Sequence, residues 1–337
     1  MFQATKIPVL AAAVLAAATL GATPAQAADT AGTVVTHDLA VTAAQRQAVL
    51  GYWTPERIAA MPTGPVTGQA PPQDGPDGAG FPVGTAVDRT IGRLFFVDRG
   101  EDESCTATLV AAANRSTIVT GGHCVHTMDL IGNDPQWTDK LLFVPGFRDN
   151  TRPYGAFVAR TAFADTTWVT DDQQSGHDQA FLVLNPDDHG RRAADVTRAA
   201  QPLGIGLPGN RPAQEFGYPR AAKQPGHQGR PEFTGQRVAH CWGAPKENPG
   251  NDEVPVPRGQ WGVPCDMGGG ASGGPRLTAF SEKTGYGVVV GVNTEAWYLH
   301  ADGSLCLDQT PDCTRYLFGP QFTTAITQPL YRRAAAA

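Results

Sequence analysis

Charge is scarce in this chain: Asp, Glu, Lys and Arg make 17% of its 337 residues, and acidic residues outnumber basic ones by 32 to 26. A formal net charge of −6 argues against a polyanion-binding surface, because affinity for phosphate backbones needs clustered Lys and Arg. Nucleic acid is therefore not an expected partner. Long apolar runs are also missing. The run from Val9 to Leu20 has about 12 residues against the roughly 20 that a spanning helix needs, and no later segment could cross a bilayer. Paired C-x-x-C motifs do not occur, which leaves a closed zinc site without its usual ligands. Helical stretches of roughly 10 to 15 residues between apolar runs are scarce, which argues against a doubly wound α/β sheet.

Glycine and proline are abundant instead, at 39 and 28 residues, a composition that favours short strands and many turns. Lys6, the short apolar run and the small residues of ATPAQA have the form of a signal peptide, residues 1–27, cleaved after Ala27. A secreted, extracellular protein without membrane contact is expected once the signal is removed. The six cysteines, at 105, 124, 241, 265, 306 and 313, all follow the signal. An even set in an exported chain predicts disulfides, with the pairing left open by spacing alone.

Residues 28–84 divide into LAVTAAQRQAVLGYWTPERIAAMPTG, which suits short helices, and PVTGQAPPQDGPDGAGFP, too rich in Pro and Gly for a core. From about residue 85 the texture changes to short apolar runs separated by turn residues. RLFFV, TATLV, STIVT, LLFVPGF, GAFVART, AFLVL, GYGVVVGVN and RYLFG predict strands, with another in PEFTGQRVAHC, Pro231 to Cys241. An all-β barrel or sandwich follows. Val196–Asn210 divides the strand-rich region near its middle and is read as the connection between two halves, 85–198 and 199–326, ahead of a tail, 327–337.

The stretch CDMGGGASGGPRL places Ser272 among glycines at 268–270 and 273–274. So many flexible residues are costly to order, and a requirement for sharp turns and close backbone approach explains them. A serine becomes a nucleophile only when a base takes its proton and donors meet the oxyanion. The N–H groups of Gly270 and Ser272 are candidates for those donors. His123, in STIVTGGHCVH, follows a β-branched run and is the candidate base, since imidazole titrates near neutrality. His126 beside it raises a metal reading, which lacks a nearby third ligand. Asp178, in SGHDQAFLVL, opens an apolar run where a carboxylate can be partly buried against the imidazole; Asp165, Asp171 and Asp172 compete.

Together TGGHC, HDQAFLVL and GGASGGP, in the order His, Asp, Ser, resemble the chymotrypsin-like (trypsin-like) serine proteases, whose motifs read Thr-Ala-Ala-His-Cys, an Asp-containing strand, and Gly-Asp-Ser-Gly-Gly-Pro. The resemblance covers roughly residues 85 to 326 and is closest to secreted bacterial members made with a prosegment, parts of which YWTPERIAA resembles. It implies an all-β fold of two six-stranded antiparallel barrels with the active site in the cleft between them. It also implies a monomeric endopeptidase acting on protein or peptide, without cofactor or metal. His123 would be general base, Asp178 its orienting partner, Ser272 the nucleophile, and Gly270 and Ser272 the oxyanion hole. Cys105–Cys124 would brace the histidine loop, with Cys241–Cys265 and Cys306–Cys313 as the remaining pairs.

Two departures from the family pattern stand out. Ala271 replaces the acidic residue that in many animal members pairs with the newly freed amino terminus, so that activation switch is absent, and removal of residues 28–84 is expected to unblock the cleft instead. Asp266 lies six residues before Ser272, as does the aspartate that selects Arg or Lys in trypsin, but its cysteine is spaced differently. Asn293 and Thr294, in GVNTEA, are expected in the opposite pocket wall. Two rival readings stand beside this one: a protease-fold binding module without catalysis, and a G-x-S-x-G lipase or esterase. The latter needs an acid and then a histidine after the serine, where only Glu282 and Glu295 precede His300.

Overall fold

A computed structural model describes residues 33–63, 74–127, 134–170, 175–250 and 259–337. The signal-peptide reading, half of the Pro/Gly-rich stretch, and Asp171 and Asp172 lie outside the described residues. Four elements precede the strand-rich region: strand β1 (Val34–Asp38), helices α1 (Ala43–Tyr52) and α2 (Pro55–Ala59), and strand β2 (Ala79–Gly80). Thr42 and Thr54 start the two helices by accepting hydrogen bonds from Gln45 N and Arg57 N, and Gln45 completes a capping box.

Helix α3 (Ala86–Thr90) leads into β3 (Ile91–Asp98), β4 (Glu101–Leu109), β5 (Thr117–Thr120), the short hairpin β6 (His126–Thr127) and β7 (Gln136–Trp137), β8 (Asp139–Pro145), β9 (Phe157–Asp165), helix α4 (Thr166–Thr170) and β10 (Ala180–Leu184). Six of these close into an antiparallel barrel in the order β9-β10-β5-β4-β3-β8, with β8 returning to β9 at Leu142↔Val158. The strands read as continuous apolar runs because both faces are covered. Leu94, Phe96, Leu182 and Leu184 point into one cluster, filling the barrel with Phe143 and Ile118. Phe95, Phe181 and Val183 fall in the other, on the alternate face that successive strand residues present.

That outer face is covered by both ends of the chain. β1 pairs antiparallel with β9, Val34↔Asp165 to Asp38↔Thr161, and α1 and α2 bring Val49, Trp53 and Ile58 into the core around Phe95. Trp53 is fully buried and donates to the Lys140 carbonyl at 2.6 Å.

Helix α5 (Ala193–Thr197) ends the first half. The second contains β11 (Ala213–Gly217), β12 (Ala239–Gly243), β13 (Lys246–Glu247), β14 (Gln260–Pro264), β15 (Pro275–Ser281), β16 (Tyr286–Val292), β17 (Glu295–Leu299) and β18 (Thr314–Pro320). They form two sheets, β16-β15-β11-β12-β2 and β13-β14-β18-β17. The disulfide Cys241–Cys265 ties β12 to the end of β14, and β16 meets the second sheet at the bridge Gly291↔Gln321. Residues 79–80, upstream of the first barrel in sequence, thus belong to the second sheet system through β2–β12.

Two local expectations are corrected. Pro231–Phe233 is a 3-10 turn, and the strand begins only at Ala239. Phe233 stacks on His227, and Gly235, with φ +75°, holds its carbonyl against buried Arg93. The tail is helix α6 (Thr327–Ala336), whose Leu330 and Ala334 are fully buried. Asn114, whose N-x-S motif also fits glycosylation, spends its amide on the Ala334 and Ala337 carbonyls at the end of that helix. The antiparallel, all-β architecture excludes the α/β-hydrolase reading, which needs a parallel sheet flanked by helices.

Candidate active site

β5 is entirely buried, and it delivers the chain into one 3-10 turn, Gly122–Cys124, that carries His123. Three restraints fix this turn. Cys124 is bonded to Cys105 on β4. Gly122 passes so close to the Trp168 ring that a Cβ there would approach it to 2.8 Å. The backbone N–H of His123 donates to Asp178 Oδ1 at 2.9 Å. The imidazole Nδ1 lies 2.8 Å from Asp178 Oδ2 and 3.1 Å from Oδ1. Asp178 enters β10 with its side chain 9% exposed, whereas that of His123 is 31% exposed, so the carboxylate is sheltered and the ring reaches solvent. Asp165, a competing acid, pairs instead with His177 at 2.8 Å.

The serine loop is held by a dense backbone network. Thr106 N donates to the Ser272 carbonyl at 2.7 Å, Gly273 N to Asn293 O at 2.7 Å, and Asn293 N to Gly274 O at 2.8 Å. The Thr106 hydroxyl donates to Gly270 O and accepts from Tyr218 N, each at 2.8 Å. Gly273, at φ +77°, is pressed against Thr120 Oγ1, Thr106 O and Gly121 N, where no Cβ could fit. Gly270, at φ +98°, faces Tyr218 O. The glycines therefore permit left-handed turns and direct backbone contact with the strand that ends in the histidine turn. This contact brings Ser272, itself partly exposed, to the edge of the His123 turn.

The N–H groups of Ala271, Gly273 and Gly274 are bonded to Gly268 O, Asn293 O and Ala271 O. Among the described residues no acceptor meets those of Gly270 and Ser272. The same holds for Gly269, so the loop leaves three of its N–H groups without an acceptor among the described residues.

The residues assigned to a substrate pocket sit differently. Asp266 is buried, its side chain 3% exposed, and its oxygens accept from Lys223 N and Gln224 N at 3.0 Å and meet His227 Nδ1 at 2.9 Å. Asn293 is fully buried and donates to Phe216 O and Ala271 O, bracing the serine loop. The Thr294 hydroxyl donates to Phe318 O and accepts from Gln260.

Glu295, the next residue, was given no role by the sequence. Its charge acts on both His123 and Asp178, and Trp297 Nε1 donates to its Oε2 at 2.7 Å. Burial raises its carboxyl pKa, with Asp178 acting in the same sense against the Trp297 and Gln260 hydrogen bonds and His123. For His123 burial favours the neutral ring. The charge and hydrogen bond of Asp178, reinforced by Glu295, outweigh that effect and raise the imidazole pKa above its ordinary 6.5.

The three disulfides are Cys105–Cys124, Cys241–Cys265 and Cys306–Cys313. Cys105, His123 and Cys124, and likewise His300, Cys306 and Cys313, lie close enough to suggest shared metal binding. Their sulfurs are bonded to one another and offer no thiolate. No helix among the described residues is long and apolar enough to cross a membrane.

No protein-family model matches the chain. A stretch of 81 residues is 30% identical to the extracellular metalloprotease of Bacillus subtilis (strain 168), and it covers 24% of this chain and 23% of that protein. The chain thus spans about a quarter of the curated relative that it matches. Solved structures match more broadly. Protease Anisep from Arthrobacter nicotinovorans superimposes with a TM-score of 0.58 at 28% identity, over 75% of this chain and 98% of that one. The thermostable serine protease AL20 from an extremophilic microorganism gives 0.58 at 26%, over 75% and 100%. A Glu endopeptidase gives 0.52 at 18%, over 77% and 97%, a likeness of fold alone. In fold, and in these likenesses, the chain is similar to bacterial serine proteases of chymotrypsin-like architecture.

Proposed function

We propose that the chain is a secreted serine endopeptidase that cleaves peptide bonds through an acyl-enzyme. Ser272 Oγ attacks the scissile carbonyl carbon while His123 takes its proton. Asp178 holds Nδ1, so that the opposite ring nitrogen is the one left to exchange protons, and it stabilises the imidazolium that forms. The oxyanion is met by the N–H groups of Gly270 and Ser272. His123 returns the proton to the leaving amine, and water, activated by the same ring, releases the acid product.

The observation that carries this reading is the 2.8 Å pair of His123 and Asp178 on a turn against which the Ser272 loop is packed. Three disulfides support export, since such bonds persist in oxidising compartments. Labelling by a fluorophosphonate, with peptide hydrolysis measured in parallel, tests the proposal. Ser272→Ala should abolish labelling, and Ser272→Ala or His123→Ala should reduce hydrolysis by several powers of ten. An intact chain that neither reacts nor hydrolyses would instead be the non-catalytic binding module.

A further inference from the structure

One of the two proposed oxyanion donors belongs to a peptide group that could easily turn over. The Gly270 N–H is part of the peptide between Gly269 and Gly270, and glycine on both sides leaves that group little steric resistance to rotation. Ala271, fully buried, has no charge with which to fix the loop. The loop is fixed instead by the chain that follows β11. Ala222 bridges Met267, Gly268 N donates to Ala221 O at 2.9 Å, and Arg220 N donates to Gly269 O at 2.6 Å. In a trans peptide the N–H points away from the carbonyl, so holding Gly269 O turns the Gly270 N–H to the opposite side. The Ser272 N–H is set differently, because Ala271 O accepts from Gly274 N and Asn293 Nδ2 within the second half.

Arg220 is tied in turn to the first barrel. Its Nη2 donates to Glu103 Oε2 on β4, and its Nε is buried and meets no acceptor among the described residues. With the two contacts of Thr106, β4 thus reaches the serine loop and its support at three points. Arg93 stands near, fully buried and fixed by the Ser104 hydroxyl and the Gly235 carbonyl, each at 3.0 Å. The charge of Arg220 acts against that guanidinium, and the charge of Glu103 favours it. Without Glu103 two like charges would face each other, and Arg220, with its side chain 18% exposed, is the one able to swing into solvent.

We infer that Glu103 and Arg220 are positioning residues for the oxyanion hole: their ion pair holds residues 218–222 against the serine loop, where the Arg220 N–H keeps the Gly270 N–H turned toward the substrate oxygen. They act through the peptide and not on the substrate. Their effect falls on the transition state, because the donor gains most once the carbonyl oxygen becomes an oxyanion. A partly exposed ion pair adds little to stability. What its loss changes is the population of the correctly turned peptide.

The inference rests on the endopeptidase reading, and one set of measurements separates the two. Hydrolysis by the full chain is followed on the best of three peptide p-nitroanilides, ending in Leu, Glu or Arg. Binding is measured for the matching peptide aldehyde and the matching peptide alcohol. With the aldehyde, Ser272 Oγ bonds to the carbonyl carbon, its proton passes to His123, and the carbonyl oxygen becomes the oxyanion; the alcohol forms no adduct. Removing an oxyanion donor outright costs roughly a hundred- to a thousandfold in kcat, and letting it turn away part of the time should cost about ten- to a hundredfold. Glu103→Gln and Arg220→Gln should each lower kcat by that amount with KM within about twofold, and weaken the aldehyde by a similar factor while leaving the alcohol unchanged. Arg220→Lys, which keeps the cation and the backbone N–H, should stay within about threefold of the parent. The double Gln variant should be no slower than the slower single, since both break one contact. Gln variants within about threefold of an active parent, a loss shared equally by aldehyde and alcohol, or losses that multiply in the double variant overturn the assignment and leave the endopeptidase reading standing. A parent that neither cleaves these peptides nor prefers aldehyde to alcohol ends that reading, and this assignment with it.

Discussion

At the scale of single residues the candidate site pairs an imidazole with the Asp178 carboxylate, with the charge of Glu295 also acting on the ring, and its pH dependence follows. The proposed mechanism needs the neutral ring, so kcat/KM should rise as pH rises through the pKa of His123, which Asp178 and Glu295 hold above the ordinary 6.5 against the effect of burial. Glu295 stabilises the imidazolium. Replacing it by Gln removes that stabilisation and should move the acid limb of kcat/KM to lower pH, measured with a Leu peptide so that substrate charge plays no part. A limb that stays in place or moves upward would show that Glu295 does not act on the ring. The pairing of His123 with Asp178, and the packing of the Ser272 loop on their turn, were legible in the sequence because each of these residues adjoins a strand or a glycine turn. Residue counting singles out Asp266, but the fold buries its carboxylate against Lys223 N, Gln224 N and His227, contacts that no local motif announces. Glu295 carries no motif; its role depends on which neighbours the fold brings to it.

At the scale of elements the serine loop and the histidine turn form one unit, joined where Gly273 lies on Thr120 and Gly121. Gly273→Ala would place a methyl group in that contact and strain a φ of +77°. A displacement of about 1 Å at a catalytic group can cost roughly a hundredfold in rate. A loss of that order in kcat/KM is expected, together with a destabilisation of about 1–3 kcal/mol. Rates within threefold of the parent would mean that the loop tolerates separation from β5. The strands were legible because alternating faces pack into two clusters and leave short, unbroken apolar runs in the sequence. Pro231–Val238 was not, since β-branched and aromatic residues there serve a turn around Phe233 and Gly235. Helix α6 was missed because TQPLYRRAAA presents few apolar residues, of which Leu330 and Ala334 bury completely against the first barrel.

At the scale of the whole molecule, the second half hides a charge pair that links stability to pH. Glu215 is fully buried opposite Arg276 in the β11–β15 ladder. Burial pushes its carboxyl pKa up to about 8, against the pull of Arg276, whose own pKa burial brings down to about 10. The folded chain keeps a proton that the unfolded chain releases above 4.5, so this group's contribution to stability falls as pH rises from 4.5 to about 8. Glu215→Gln should flatten the thermal midpoint over that window and gain most relative to the parent near its upper end. A parallel pH profile for the two proteins would contradict the buried-carboxylate account.

The amino-terminal segment spans both halves in a way that bears on maturation. Residues 33–61 add β1 to the first barrel, bury Val49, Trp53, Ile58 and Met61, and pair Arg57 with Asp102 at 2.6 Å. Residues 74–80 are fixed on the second half, where β2 joins β12 and the Asp77 carbonyl accepts from Asp266 N. Burying three or four large apolar side chains contributes several kcal/mol, roughly 1.5–3 for each. A segment held this way is slow to leave after its connection is cut. A recognition sequence for a foreign protease, inserted between residues 64 and 73 and cleaved, should therefore yield two fragments that co-elute in size-exclusion chromatography, with kcat/KM unchanged by the cut. A chain beginning at residue 64 should melt at lower temperature than the parent without gaining activity. Release of the small fragment with a rise in kcat/KM would instead show that the segment is an inhibitor whose departure opens the cleft, as the resemblance to precursor proteases implies.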